Sequence, residues 1–177
     1  MSAIIDMFGH EPAASTTDGD ERYTTRATMD WVRRMTGVDA FDLDAAACEE
    51  SHKADRFYTK ESNGLLRPWF GKTWVNPPYS DIPAWVDKAW REMDSSPGPT
   101  LIAMLLPNNR QEQPWWQDEV EPWRDDFRNP GRPSCPDVML TTDYPPGRVS
   151  FGHPGNPEGV GVGSPPFGCV LLTWRRS

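Results

Sequence analysis

The stretch Thr73-Trp74-Val75-Asn76-Pro77-Pro78-Tyr79-Ser80 decides how the rest of the chain is read. Three β-favouring residues run into two prolines, which cannot donate to a ladder, so a short strand ends abruptly at Asn76. Beyond the break, Ser80 or Asp81 can cap a helix whose Ile82, Trp85, Val86, Ala89, Trp90 and Met93 fall on one stripe. Pro83 is tolerated in its first turn, and the spacing predicts a helix over 82–94. A turn at 95–99 then leads into an uninterrupted apolar run over 100–106, ending at Pro107, the pattern of a strand covered on both faces.

Outward toward the N-terminus, Phe41 and Leu43 alternate with Asp42 and Asp44, which predicts a short strand ending in an acid. Ala45, Ala46 and Ala47 after it favour the start of a helix. Ala27, Trp31, Val32 and Met35 have helical spacing over 26–36, with Thr25 available as N-cap and Gly37 as the stop. Residues 1–22 are polar and acidic without apolar period and read as a flexible arm, so one domain is expected over 23–177. Toward the C-terminus, 113–124 is Trp-rich and reads as helix and 129–136 as loop. Residues 138–141 and 148–151 read as extended, and 169–174 as a closing strand. Strands alternating with helices make the fold class α/β. In such folds ligands bind at the carboxyl ends of strands, where both Asp44 and Asn76 fall.

Composition narrows the function. The chain of 177 residues carries a net charge of −8, so it lacks the global positive field of a passive nucleic-acid binder. The local exception is 52–72, where Lys53, Arg56, Lys60, Arg67 and Lys72 outnumber Asp55 and Glu61. No apolar run is long enough for a membrane span and no signal peptide is readable, which predicts a cytoplasmic protein. Cys48, Cys135 and Cys169 lie far apart and are expected as reduced thiols. His10, His52 and His153 have no partners at metal spacing, so no metal is expected. Neither a Ser-His-Asp order nor a phosphate loop is present, which removes hydrolase and NTPase readings.

The Asn-Pro-Pro-Tyr stretch carries a chemistry of its own. An exocyclic amine on a nucleobase is a poor nucleophile because its lone pair is delocalised into the ring. The Asn76 side-chain carbonyl can accept one N–H and a backbone carbonyl of the proline pair the other, with Pro77 and Pro78 holding both acceptors rigid. Tyr79 can stack on a base taken out of the duplex. Ser164-Pro165-Pro166-Phe167 has a similar form but precedes a strand, and reads as a strand-entry loop.

Taken in order, Phe41-Asp42-Leu43-Asp44-Ala45-Ala46-Ala47, then Trp74 to Ser80 with Trp85, Val86 and Lys88, then Leu105-Leu106-Pro107, then Gly147-Arg148-Val149-Ser150-Phe151 resemble the phage Dam-type DNA N-6-adenine methyltransferases. The resemblance covers about residues 22–175 and implies a Rossmann-like fold that moves a methyl group from S-adenosylmethionine to adenine N6 in DNA. It implies that Asn76, Pro77 and Pro78 hold the amino group, that Tyr79 stacks on the flipped adenine of double-stranded DNA, and that Asp44 contacts the cationic methionine portion of the cofactor. Ala45 and Ala46 stand where other methyltransferases carry a Gly-rich loop, and Asn63 stands where relatives carry an acid before Gly64-Leu65. Relatives carry Thr-Pro near the start, and here Thr25 is followed by Arg26. Thr25, Asp44, Ala45 and Asn63 are thus the cofactor candidates. Trp69 and Phe70, beside the basic stretch, are candidates for DNA contact, and sequence specificity is expected in the loops 52–72 and 128–147. The same motif can serve cytosine N4, or RNA or protein amides. An acidic DNA-mimicking or adaptor protein that has lost the reaction is the alternative from another class. The oligomeric state is not encoded in any motif.

Overall fold

The computed structural model describes residues 22–126 and 132–177. The arm expected over 1–22, apart from Arg22, and residues 127–131 lie outside the described residues.

The centre of the molecule is a five-stranded mixed sheet in the order β2 (Leu43–Asp44), β3 (Lys72–Val75), β4 (Leu101–Pro107), β7 (Cys169–Arg176) and β5 (Val138–Asp143). The first three strands are parallel and the last two join antiparallel. Every residue of β4 is buried, as expected for a central strand covered on both faces. Its far end extends one residue beyond the apolar run, because Pro107 pairs with Cys169 of β7. A second, two-stranded sheet joins β1 (Tyr23–Thr24) to β6 (Phe151–Gly152). The chain is therefore a mixed α/β protein. Among the described residues, no helix is long and apolar enough to cross a membrane.

Helix α1 (Arg26–Thr36) matches its expected bounds, with the Thr25 hydroxyl accepting from the Thr28 N–H and Gly37 closing the end in the left-handed region at φ 66°. Helix α2 (Ile82–Asp94) also matches, and it leans on β7 through the edge-to-face pair Trp90 and Trp174, 5.9 Å between centroids. The third helix is shorter than its Trp-rich sequence suggests. Only α3 (Pro114–Glu119) forms, because the chain beyond Val120 is drawn to the sheet edge. There the Asp125 N–H donates to the Leu140 carbonyl and the Asp125 carboxylate accepts from the Thr142 N–H.

The largest departure follows β2. No helix begins at Ala45; the chain makes a turn, then irregular backbone, then a single 3₁₀ turn, Gly64–Leu66. The reason is that β2 is flanked on both sides by backbone. The Ala45 N–H donates to Trp74 of β3, while the Asp44 N–H donates to the Arg56 carbonyl and its carbonyl accepts from Tyr58. Residues 44–47 are thus tied by their backbone to a strand on one side and a returning loop on the other, and local alanine propensity loses to these contacts.

Residue 71 must be glycine for the entry into β3. It sits at φ 57°, and a Cβ there would lie 2.4 Å from the Asp42 carboxylate that accepts from the Lys72 N–H. Trp69 is core and not surface: it is 1% exposed, and its indole N–H donates to the Gly64 carbonyl. Phe70 is half-buried beneath the Arg56 guanidinium. All three cysteines are free, with Cys135 and Cys169 buried.

A buried carboxylate fastens the loop before β3 to α2. Glu92 accepts from the Trp69 N–H at 2.9 Å and from the Lys88 ammonium on its own helix. Replacing Glu92 by Ala leaves a buried N–H and a half-buried ammonium without this partner. The expected cost is about 3 kcal/mol of unfolding free energy, read by urea denaturation.

Candidate active site

Parallel pairing sets Leu43 opposite Thr73 and Asp44 opposite Trp74, so the carboxyl ends of β2 and β3 open side by side. A cavity of about 560 Å³ lies there, within the range of small-molecule sites. Asp44, Ala45, Asn63, Asn76 and Pro78 line it, with Trp85 of α2, Lys53 and Lys60 from the basic stretch, and Arg22 to Thr24. None of the described residues in 132–147 lines it, whereas 52–72 supplies part of its wall.

Asp44 is 3% exposed. Its carboxylate accepts from the backbone N–H groups of Lys53 at 2.9 Å and Ala46 at 3.3 Å. Burial dominates over these donors and over the Lys53 charge, pushing its pKa from the ordinary 3.8 up to about 6. A negative charge at neutral pH is therefore present in the cavity wall, and it is only partly compensated. Asp44 caps a loop rather than the helix that the alanines suggest.

The other cofactor candidates differ in placement. A Cβ on Gly64 would lie 2.0 Å from the Ala45 carbonyl oxygen, so the 3₁₀ turn reaches the cavity floor only because residue 64 is glycine. Asn63 lines the cavity in the left-handed region at φ 54°, but its side-chain oxygen is engaged by the Leu65 N–H at 3.1 Å. Thr25 does not line the cavity. It is buried beneath α1 as the N-cap, with its hydroxyl 3.0 Å from that of Thr28.

At the end of β3, the Asn76 side-chain N–H₂ donates to the Arg22 carbonyl at 2.6 Å, and the amide oxygen is buried with no hydrogen-bond partner among the described residues. An unsatisfied acceptor in such a place costs free energy, which a ligand N–H would recover. Pro77 is buried and Pro78 exposed. Tyr79 is 4% exposed, with its ring edge-on to Phe151 at 6.4 Å and Phe167 at 6.0 Å. The Arg22 guanidinium lies 5.2 Å from the Tyr79 centroid and 5.7 Å from that of Phe167.

Sequence reasoning missed Arg22, which it assigned to the arm, and the pairing of Phe151 and Phe167 around Tyr79. The signal for Phe167 was its Ser-Pro-Pro-Phe setting; the entry to β7 brings that ring to the motif. His52 stacks on Phe57 at 4.2 Å, and among the described residues no group of His, Cys, Asp and Glu could hold a metal.

The raised pKa of Asp44 makes stability pH-dependent. Between 3.8 and about 6 the folded state retains a proton that the unfolded chain has released, so this carboxyl's contribution falls as pH rises through that window. The unfolding free energy of Asp44→Asn relative to wild type is expected to rise by on the order of 3 kcal/mol over this interval and to level off above it. Denaturant titrations at several pH values check this. A methyl at residue 64 is expected to cost about 1–3 kcal/mol, since the atom it meets is backbone; thermal melting of Gly64→Ala reads it.

No solved structure matches the chain. A DNA N-6-adenine-methyltransferase of Escherichia phage T1 is 46% identical over 70 residues, which is 38% of this chain and 28% of that protein. The chain thus matches well under two thirds of the relative's length. Residues 15–125, more than half of the chain, match the DNA N-6-adenine-methyltransferase (Dam) family, a stretch that contains Asp44, Asn63 and the whole run Asn76 to Tyr79. The acid at the end of one strand and the Asn-Pro-Pro-Tyr break at the end of its parallel neighbour are carried by a chain that belongs to this Dam family.

Proposed function

We propose that this protein transfers the methyl group of S-adenosylmethionine to the N6 amino group of adenine in double-stranded DNA, with residues 23–177 acting as one Rossmann-like methyltransferase domain. The observation that carries the reading is the Asn76 amide oxygen, buried, without a partner among the described residues, and fixed in orientation by the bond from its N–H₂ to the Arg22 carbonyl. Family membership supports the same chemistry.

The cavity residues suit the proposed cofactor. Asp44 presents a carboxylate, ionised above about pH 6, where a cationic methionine portion would lie. Ala45 and Gly64 bring backbone close together at the cavity floor, and Asn63 lies in the adjoining wall with its amide N–H₂ as the remaining polar group. When bound, S-adenosylmethionine supplies an electrophilic methyl group on a sulfonium centre.

The protein's own part is to prepare the amine. Asn76 Oδ1 accepts one N6–H and the Pro77 carbonyl the other, which draws the nitrogen lone pair out of conjugation with the ring. The two prolines keep the backbone acceptor in place, and the Arg22 carbonyl orients the side-chain one. The second amine proton leaves to solvent after transfer. The adenine reaches this site by leaving the duplex, and its ring stacks on Tyr79. Since Arg22 covers Tyr79, stacking requires the guanidinium to give up that position. A rotation of the Arg22 side chain is enough for this and leaves its carbonyl bonded to Asn76.

Purified protein incubated with unmethylated DNA and isotopically labelled S-adenosylmethionine is expected to yield labelled N6-methyladenine on nucleoside analysis. Asn76→Ala is expected to lower the rate by about 100-fold or more. Labelled N4-methylcytosine would keep the clamp and change the substrate. No label in either base, together with no cofactor binding by calorimetry, would replace the enzyme reading with that of an acidic interaction protein.

A further inference from the structure

Lys53 is the second charge at the Asp44 end of the cavity. Its backbone N–H donates to the Asp44 carboxylate at 2.9 Å, which fixes its Cα beside that acid. Its half-buried side chain contacts the Ser51 hydroxyl at 3.4 Å, and Ser51 also lines the cavity. Among the described residues Lys53 forms no ion pair, although the chain is strongly acidic. Burial lowers the pKa of its ammonium, and the Asp44 charge opposes that shift. An ammonium and a carboxylate are thus both partly desolvated at one cavity end, and no direct ion pair joins them. Such an arrangement complements a ligand that carries the two opposite charges on groups attached to one carbon.

We infer that Lys53 and Asp44 together form an α-amino-acid subsite, in which Lys53 receives the α-carboxylate of the methyl donor while Asp44 receives its α-ammonium. The inference rests on the methyltransferase reading and extends it to a residue outside the Asn-Pro-Pro-Tyr motif. It gives the basic stretch a function other than DNA contact at this position. Lys53 acts on the half of the ligand remote from the transferred group, so it governs cofactor affinity and not the preparation of the amine.

Calorimetry on the full-length protein tests this without DNA. The two probes are S-adenosylmethionine and its decarboxylated analogue, which keeps the ammonium, sulfonium and adenosine but lacks the carboxylate. Wild type is expected to bind S-adenosylmethionine about tenfold more tightly than the analogue, the scale of one charge-assisted hydrogen bond. Lys53→Met, with Lys53→Gln as a second variant, is expected to weaken S-adenosylmethionine about tenfold and the analogue by less than about twofold. Lys53→Arg is expected to restore most of the preference. Equal weakening of both ligands would make Lys53 a support for the Asp44 loop and overturn the subsite. So would a wild type that does not distinguish them, a result that requires no variant. A wild type that binds neither ligand would overturn the methyltransferase reading itself, which is a separate outcome.

Discussion

A carboxylate that is almost wholly buried organises the end of this sheet. Asp44 closes β2, and its two oxygens take the N–H groups of Ala46 and Lys53. Backbone bonds to Arg56 and Tyr58 add the second side of the clasp. One side chain therefore shapes the turn after the strand, the return of the loop and the placing of Lys53. The desolvation that raises its pKa is the cost of that arrangement, and it leaves a charge facing a cavity that a cation would suit.

The opposite wall depends on a second constraint, the stop imposed by Pro77 and Pro78 on β3. The strand cannot continue, so Asn76 stands at its end with a side chain free to turn toward the cavity. Its orientation comes from far away in sequence, through the Arg22 carbonyl. The same residue lays its guanidinium on Tyr79, and Phe151 and Phe167 surround that ring from the last third of the chain. The motif is local, but its environment is assembled from three distant segments.

Much of this was legible beforehand because the relevant signals are short-range. Helices α1 and α2 follow from apolar spacing, with the Thr25 hydroxyl capping α1 and no side-chain cap bond at Asp81 of α2, and both match residue for residue. The buried run of β4 announces a central strand by composition alone. Errors arose where neighbours in space outweighed neighbours in sequence. Ala45 to Ala47 favour helix, yet backbone bonds to β3 and to the returning loop turn the chain instead. Beyond Val120, pairing with the edge of β5 ends a helix that propensity would prolong. Trp69, beside a basic stretch, looks like a surface aromatic, but it is sealed in the core by bonds to Gly64 and Glu92.

By itself the sequence determined the run Asn76 to Tyr79 at a strand end, the acid closing the strand before it, and the helix α2 between β3 and β4, because each depends on local periodicity, capping or proline geometry. The tertiary structure decided which groups meet across the cavity. Arg22 orients Asn76, Phe167 buttresses Tyr79, Asn63 spends its oxygen on its own turn, and Lys53 stands beside Asp44. These pairings join residues whose separation along the chain carries no periodic signal. They exist only once burial of the sheet has fixed the loops at its carboxyl end.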